Sequence, residues 1–317
     1  MQLFAGVLVL ALLSIVDLQR AHPDTIVIYT TPALRDLLER DVIPRYQATT
    51  GLSVLPIYVS AGEEFNRLRM SGIYPEVDIF LHASPLFIEK GYSEGLFEAY
   101  TVAGSPSTSP WFQSRNVSGG HLWYSFAWSP LVEVYRPDLA AAPDLLTTDL
   151  RFGLAHPLLS NNGIYNVVFF ETVSPEAGAR AISLTVVQPV NARATILGIA
   201  DLSFDVTLGY EAVTQLFVDQ GARVSFDFPL LNGTRWTLPV ALSVGLVKGH
   251  PHPAAMSFVD FLFTPGTQSR LGGFYLNDTL RVTNATLPGV PPGVRIVQFD
   301  WSTWQSLEAA LPRYEVT

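Results

Sequence analysis

The residues best suited to hold a ligand in this 317-residue chain are hydroxyl-bearing and small residues that follow apolar runs near the N-terminus. They form the turns Thr30-Thr31-Pro32, Ser60-Ala61-Gly62 and Ala83-Ser84-Pro85. Each turn has the composition expected where a strand ends and a helix begins. The first amides of a helix have no partner inside it, and the peptide dipoles give that end partial positive charge. The oxygens of an anion accept hydrogen bonds from these amides and carry the negative charge that the helix end favours. The three turns therefore predict an anion site.

Each of these turns needs a strand before it and a helix after it. The mostly apolar residues 26–29, 54–59 and 77–81 predict three buried strands. Thr31 with Pro32 predicts an N-cap and first turn, while Ser60 and Glu63 have the spacing of a capping box. In open α/β sheets the ligand binds beyond the carboxyl ends of the strands. The alternative is that these residues only cap their helices.

Similar turns in the second half of the chain add candidates. Asn161-Asn162-Gly163 precedes an apolar helix and would present amides and carboxamides, and Tyr210 follows a predicted strand over 202–208. A plain turn and a packing aromatic are the respective alternatives. The predicted ligand-binding residues are Thr30, Thr31, Ser60, Ala61, Gly62, Ser84, Asn161, Asn162, Gly163 and Tyr210.

Other kinds of chemistry have little support. The sequence contains no Gly-x-Ser-x-Gly elbow, no His-Glu-x-x-His pair and no Walker loop, so we assign no catalytic residue and expect a protein that is not an enzyme. His250 and His252 have a metal-ligand spacing, but each precedes Pro, and we predict no metal site and no cofactor. Trp123 and Trp128 could stack on an organic ligand, although packing is the favoured role. We assign Glu63 and Glu64, in a first helical turn, to the helix dipole.

Composition indicates an exported protein. Residues 3–16 are an apolar run too short for a comfortable membrane span. We therefore predict a signal peptide or uncleaved anchor, and a periplasmic or cell-surface location. The absence of Cys excludes disulfides and a lipidated cysteine. A net charge of −9 argues against nucleic-acid binding. It does not argue against the binding of a small anion by backbone amides, because such a site acts locally. Weak support for export comes from sequons at Asn116, Asn232, Asn277 and Asn284.

The remaining pattern indicates two lobes joined by a hinge. A chain of 317 residues can form two cores of ordinary size, and the extended segments 121–135 and 238–247 would cross between them. We predict an α/β fold in which each lobe has a mixed sheet flanked by helices, with the ligand in the cleft between the lobes. The predicted boundaries are 1–22 for the signal peptide or anchor, 24–122 plus 240–275 for lobe 1, and 123–239 plus 276–317 for lobe 2.

The order of five segments resembles that of the type II periplasmic solute-binding proteins of ABC importers. The segments are residues 26–31, 60–63, 77–80 and 248–262, followed by Thr264-Pro265-Gly266-Thr267-Gln268. The resemblance extends from residue 25 to about residue 276. The last segment is similar to the family's Ser-Pro-Glu-x-Gln pattern, with Thr for Ser and Gly-Thr for the Glu-x step. The branch it resembles includes receptors for iron(III), phosphonates, thiamine, sulfate, and molybdate or tungstate.

This resemblance implies a monomeric receptor that closes about a hinge on a small solute and delivers it to an ABC permease. Residues 204–212 are similar to the oxyanion binders, in which a Tyr after a short strand reaches the ligand. The family's iron binders have a His, a carboxylate and a Tyr pair where this chain has Ala33, Ala83 and Tyr210. The implied solute is molybdate, tungstate, sulfate, phosphate, a phosphonate or a phosphorylated compound. An iron(III) or thiamine-type receptor of the same fold is one alternative, and a surface adhesion or scaffold protein is another.

Overall fold

The computed structural model describes residues 25–72, 75–103, 109, 111–249, 252–280, 282 and 287–316. The predicted signal peptide or anchor at 1–22, His250 and the sequon at Asn284 lie outside these residues. Within them, no helix has the length and apolar character needed to cross a membrane.

The strands are β1 Thr25–Thr30, β2 Ser53–Tyr58, β3 Ile79–His82, β4 Phe97–Glu98, β5 Asn116–Val117, β6 Gly120–His121, β7 Tyr124–Tyr135, β8 Phe152–Gly153, β9 Thr185–Val187, β10 Val206–Tyr210, β11 Ser225–Asp227, β12 Leu230–Leu231, β13 Thr234–Thr237, β14 Pro239–Val247, β15 Asn277–Asp278 and β16 Arg295–Ile296. The centre of the molecule is an eleven-stranded mixed sheet with the order β2-β1-β3-β14-β7-β10-β8-β9, onto which β4, β11 and β15 pair. The described residues also form a three-stranded sheet, β12-β13-β16, and a two-stranded one, β5-β6.

Helices flank the sheet, as predicted for this fold class. The first helical segment, α1 (32–50), consists of a 3-10 turn Pro32–Leu34, an α-helical turn Arg35–Leu37, a π-helical turn Leu38–Val42 and an α-helix Ile43–Thr50. Its C-cap is Gly51, whose φ of 75° suits a residue without Cβ. The others are α2 Ala61–Ser71, α3 Leu86–Ser93, α4 Asn161–Val173, α5 Pro175–Leu184, α6 Ala192–Ala200, α7 Glu211–Asp219, α8 Ala255–Leu262, α9 Pro265–Gln268 and α10 Trp304–Ala310, with short 3-10 turns at Leu271–Phe274, Trp301–Thr303 and Leu311–Tyr314.

Two long strands hold the two halves of the sheet together. The first part of β7 pairs with β14, and from Leu131 onward β7 pairs with β10. β14 in turn pairs with β3 through Ser243–Leu246. Both strands are buried along their whole length, as expected where helices cover both faces. We call the β2-β1-β3 side lobe 1 and the β10-β8-β9 side lobe 2. The residue boundaries given above for the lobes stay a prediction.

The C-terminal segment contacts both lobes. The ring of Trp301 lies 5.4 Å from that of Tyr165 in α4, and the Tyr314 hydroxyl donates to Glu171 over 2.8 Å. On the other side, Glu308 forms an ion pair with Lys90 of α3. The segment therefore links α3 of lobe 1 to α4 of lobe 2.

A buried glutamine compensates for an irregularity in β7. The register with β14 shifts at Phe126, and the freed Phe126 carbonyl accepts a hydrogen bond from Gln268 Nε2 at 2.7 Å. Gln268 also donates to the Leu262 carbonyl over 2.7 Å and accepts from the Thr279 amide over 3.2 Å. Because buried polar groups without partners are costly, the last residue of the Thr-Pro-Gly-Thr-Gln segment stabilises the fold.

We predict that Gln268→Leu lowers the free energy of unfolding by about 2 kcal/mol or more, because three buried backbone groups lose their partner at about 1–3 kcal/mol each. Urea unfolding followed by circular dichroism measures this change. Gln215→Leu, which removes a surface pairing with Asp219, is the control and should change the value by less than about 0.5 kcal/mol. Equal effects of the two substitutions would contradict the role given to Gln268.

Candidate functional site

A cavity of about 680 Å³ lies between the two lobes where several helices begin. Lobe 1 contributes the starts of α1 and α2, and lobe 2 contributes the starts of α4 and α6 together with the end of β10. The helix dipoles of both lobes therefore direct partial positive charge at one volume.

The structure brings six of the predicted ligand-binding residues to this cavity and leaves four beside it. Thr30 and Ser84 are fully buried outside the lining, and the Ser84 hydroxyl accepts from the Leu86 amide over 3.2 Å. Gly62 and Gly163 allow close approach of the backbone at the Leu158 and His156 carbonyl oxygens. The predicted residues that line the cavity are Thr31, Ser60, Ala61, Asn161, Asn162 and Tyr210.

The start of α2 differs from its prediction. Ser60 is the N-cap by backbone conformation, but its side chain makes no capping hydrogen bond, so the capping box predicted with Glu63 is wrong. Glu63 instead bonds Arg67 one turn later, with 2.6 Å between Oε1 and Nη2, because residues four apart share a helix face. The helix end therefore keeps its first amides, and the Ser60 hydroxyl, available to a ligand.

The helix starts of lobe 2 are capped by neighbouring residues. Ser160 accepts from the Asn162 amide over 3.2 Å, and Asn191, which sequence reasoning missed, accepts from Ala194 over 2.8 Å. The Asn162 side chain donates from Nδ2 to the Leu208 carbonyl over 2.9 Å. This bond fixes the orientation of the amide and leaves Asn162 Oδ1 buried without a hydrogen-bond partner.

Tyr210 ends β10 and begins α7, two residues beyond the predicted strand. Its ring packs edge-on against Tyr165 with 6.1 Å between the centroids. The hydroxyl is buried without a partner, and burial raises the pKa of Tyr210 well above its usual range. A neutral phenol at the cavity wall can donate a hydrogen bond to an anion.

A chain of buried polar side chains crosses between the lobes beside the cavity. Glu64 contacts Nε2 of His82, and Nδ1 of His82 lies 2.9 Å from Nδ2 of Asn161. Glu64 lies in the first turn of α2, where the dipole assignment placed it, and its fully buried side chain in addition contacts His82. The sequence marks this pairing only by the position of His82 at the end of an apolar strand.

Two glycines allow the lobes and helix starts to approach closely. A Cβ at Gly62 would lie 2.6 Å from the Leu158 carbonyl oxygen, across the lobe boundary, and a Cβ at Gly163 would lie 2.3 Å from the His156 carbonyl oxygen. Both distances are shorter than any contact a real Cβ makes. These glycines were predicted as ligand contacts, and the structure gives each of them a packing reason.

The other chemical candidates lie away from the cavity. Trp123 and Trp128 are buried in the core, with Trp123 donating to Glu89 over 2.7 Å, so the packing interpretation is confirmed. Among the described residues no group of three or more His, Cys, Asp or Glu side chains is placed to hold a metal ion. The charged side chains that line the cavity are Glu63 and Arg67, which pair with each other.

Residues 26–274 match the family model described as bacterial extracellular solute-binding protein. The periplasmic binding protein AfuA from Actinobacillus pleuropneumoniae, solved with exogenous fructose-6-phosphate, is similar with a TM-score of 0.74 and 14% identity over 92% of this chain and 97% of that chain. Iron-bound HitA from Pseudomonas aeruginosa is similar with a TM-score of 0.72 and 15% identity over 92% of this chain and 99% of that chain. A periplasmic thiamin binding protein is similar with a TM-score of 0.70 and 15% identity over 92% of this chain and 95% of that chain. No curated protein matches the sequence significantly.

We predict that Gly62→Ala weakens the contact between the lobes, because the added methyl group would meet the Leu158 carbonyl oxygen at 2.6 Å. Small-angle X-ray scattering should then show a larger radius of gyration for a folded protein. Gly266→Ala, where a Cβ meets nothing within 4 Å, is the matched control and should match the parent. An unchanged radius for Gly62→Ala would count against this account of the contact.

Proposed function

The chain belongs to the family of bacterial extracellular solute-binding proteins, and we propose that its solute is a small organic anion held in the cavity between the lobes. The chain shares the two-lobed periplasmic-binding-protein fold with its structural neighbours over 97% and 99% of their length. The family and these neighbours are binding proteins rather than enzymes. The chain is therefore an exported solute receptor of an ABC transporter, and what we propose concerns the solute and its contacts.

The main support for this proposal is that helices of both lobes begin at one cavity. The paired charges of Glu63 and Arg67 offset each other. The field in the cavity is then set by the helix ends, which favour negative charge. We propose that the ligand contacts are Thr31, Ser60, Ala61, Asn161, Asn162 and Tyr210, through hydroxyls, carboxamides and backbone amides.

The size of the cavity favours an organic anion over a bare oxyanion. About 680 Å³ is within the range of ligand pockets that enclose organic molecules. A tetrahedral oxyanion alone would leave most of that volume to water. A phosphorylated or phosphonate compound would place its anionic group at the helix starts and fill the remainder with its organic part. The fructose-6-phosphate of the AfuA structure has this chemistry.

The donor set argues against iron(III) as the solute. A hard trivalent cation prefers several anionic oxygen ligands. Among the residues that line the cavity, Tyr210 supplies the phenol and Glu63 the carboxylate, and Glu63 is already bonded to Arg67. The cavity is thus richer in hydrogen-bond donors than in anionic ligands.

Closure of the lobes would couple binding to delivery. A ligand that bridges helix starts of both lobes stabilises the closed state by its differential contacts. Asp36 of α1 and Arg193 of α6 form an ion pair across the lobe boundary, so each lobe also holds the other directly. We propose that the monomeric closed form is what the ABC permease recognises.

A phosphorylated or phosphonate compound is predicted to raise the melting temperature. A ligand at about a hundred times its dissociation constant adds about 2.7 kcal/mol, which is a shift of several degrees. Thermal unfolding against phosphate, sulfate, molybdate, tungstate, organophosphonates, sugar phosphates, thiamine phosphate and ferric citrate measures it. Stabilisation by ferric citrate alone would contradict the proposed solute class.

We predict that the double variant Ser60→Ala with Tyr210→Phe binds the stabilising solute about 5- to 150-fold more weakly, since it loses two hydrogen-bond partners worth about 0.5–1.5 kcal/mol each. Calorimetric titration gives the affinity, and circular dichroism confirms folding. Ser183→Ala with Tyr92→Phe removes the same atoms from the surface away from the cavity and should bind as the parent does. Normal binding by the folded cavity variant would refute the site.

A further inference from the structure

A second cavity, of about 150 Å³, lies where α1 of lobe 1 faces α7 of lobe 2. We call it the hinge cavity, because β7 and β14, the strands that join the lobes, contribute Ser129, Val240 and Leu242 to its lining. The cavity of about 680 Å³ at the helix starts is called the solute cavity. The two linings share one residue, Tyr210. A molecule in the hinge cavity would therefore contact both lobes and the strands between them.

The walls of the hinge cavity are largely apolar. Leu34 and Leu37 of α1, Val213 of α7 and Val240 of β14 all line it, and each is at most 5% exposed. An apolar cavity of about 150 Å³ stays dry and can hold a ring the size of benzene. The shape and chemistry of the hinge cavity therefore suit a small apolar group.

The start of α7 does not make the hinge cavity a second site of helix-end amides. Ser129 Oγ already accepts a hydrogen bond from the Ala212 amide, the second residue of α7, over 3.0 Å. Both residues are buried in the lining. The amide that a ligand could otherwise have bound is thus satisfied by the chain.

One cation in the lining lacks a counter-ion. The charged residues of the lining are Asp36 and Arg40, and Asp36 already forms an ion pair with Arg193. Arg40 is exposed, so it lies at the mouth, and it forms no ion pair with any described residue. The acidic residues beside it on α1 have other partners, Glu39 with Arg35 and Asp41 with Arg45 and Arg270.

The mouth also has a residue in a strained conformation. Tyr275 lines the hinge cavity, is 36% exposed and has a φ of 58°, which residues with a Cβ seldom adopt. Its hydroxyl donates to Asp219 at the end of α7. The turn after Leu271–Phe274 is thereby tied to lobe 2, and strain of this kind is frequent where a segment clamps a ligand.

We propose that the hinge cavity binds a small monocarboxylate with an apolar ring or short alkyl chain. The apolar part fills the cavity, and the carboxylate accepts hydrogen bonds from the guanidinium of Arg40, whose planar fork matches two carboxylate oxygens. A single free cation suits a single negative charge, since Asp36 in the same lining would repel a second. This site lies outside the solute cavity and stands apart from the proposed function.

Calorimetric titration of the full chain with carboxylates from propanoate to hexanoate, in the absence of any other solute, tests the apolar part. Affinity should rise about fourfold with each methylene group that enters the cavity. Benzoate should bind, and benzyl alcohol, its uncharged analogue, should bind about tenfold more weakly because it loses the charged hydrogen bond. No binding of hexanoate or benzoate, or an affinity that does not depend on chain length, would overturn the proposal.

Two substitutions test the lining. Arg40→Met keeps the length of the side chain and removes its charge, so benzoate should bind about tenfold more weakly. Arg223→Met is the matched control, because Arg223 is also exposed, has no ion pair with any described residue and lies outside the lining; it should bind as the parent does. Leu216→Trp places an indole at the half-buried wall and should abolish the dependence on chain length. Equal binding by Arg40→Met and Arg223→Met would contradict the site whether or not Leu216→Trp folds.

Ser60→Ala separates the two cavities, because Ser60 lines only the solute cavity. This variant should bind benzoate as the parent does. Weaker binding by Ser60→Ala, together with normal binding by Arg40→Met, would place the carboxylate in the solute cavity and overturn the proposal. A failure of every phosphorylated or phosphonate compound to bind would count against the proposed function alone, since benzoate is measured without them.

Discussion

The start of a helix leaves backbone N–H groups that need a partner, and this constraint organises the cleft. Parallel pairing of β1 with β2 and β3 brings the turns after those strands to one edge, and β10 brings its own end to the facing side. Where the first amides are not all capped, as at α2, they stay available to a ligand. The sheet order thus determines which helix starts meet, and their meeting favours negative charge in the cavity.

The contacts that join the lobes are of different kinds. Gly62 permits backbone approach, Asp36 and Arg193 contribute opposite charges, and the Glu64–His82–Asn161 chain crosses the boundary without solvent. A buried polar chain is favourable only when every member is satisfied. Glu64 Oε2, His82 Nε2, Asn161 Oδ1 and Asn162 Oδ1 are buried without a hydrogen-bond partner in the described residues, so this boundary is not fully satisfied without a further hydrogen-bonding group.

The strand and helix units were predictable from sequence because their signals are local. An apolar run, a hydroxyl and a proline mark the start of α1, and the Thr-Pro-Gly-Thr-Gln segment follows α8 as expected. The free hydroxyl of Ser60 was not predictable, since Glu63 has an equally good local partner in Arg67. Glu64 and His82 meet only through the packing of α2 on the sheet, which no pattern within either segment encodes. Tyr210 lies at the end of β10 because the register with β7 continues to Leu131.

In the proposed site, helix starts of both lobes hold the anionic group of the solute. A crystal structure of the chain with the solute that stabilises it most strongly would locate that group. We predict anionic oxygens within hydrogen-bond distance of the backbone amides that begin α2 and α4, with Ser60 and Tyr210 in contact. A solute whose charged group lies away from these amides, or a cation bound between them, would contradict the account.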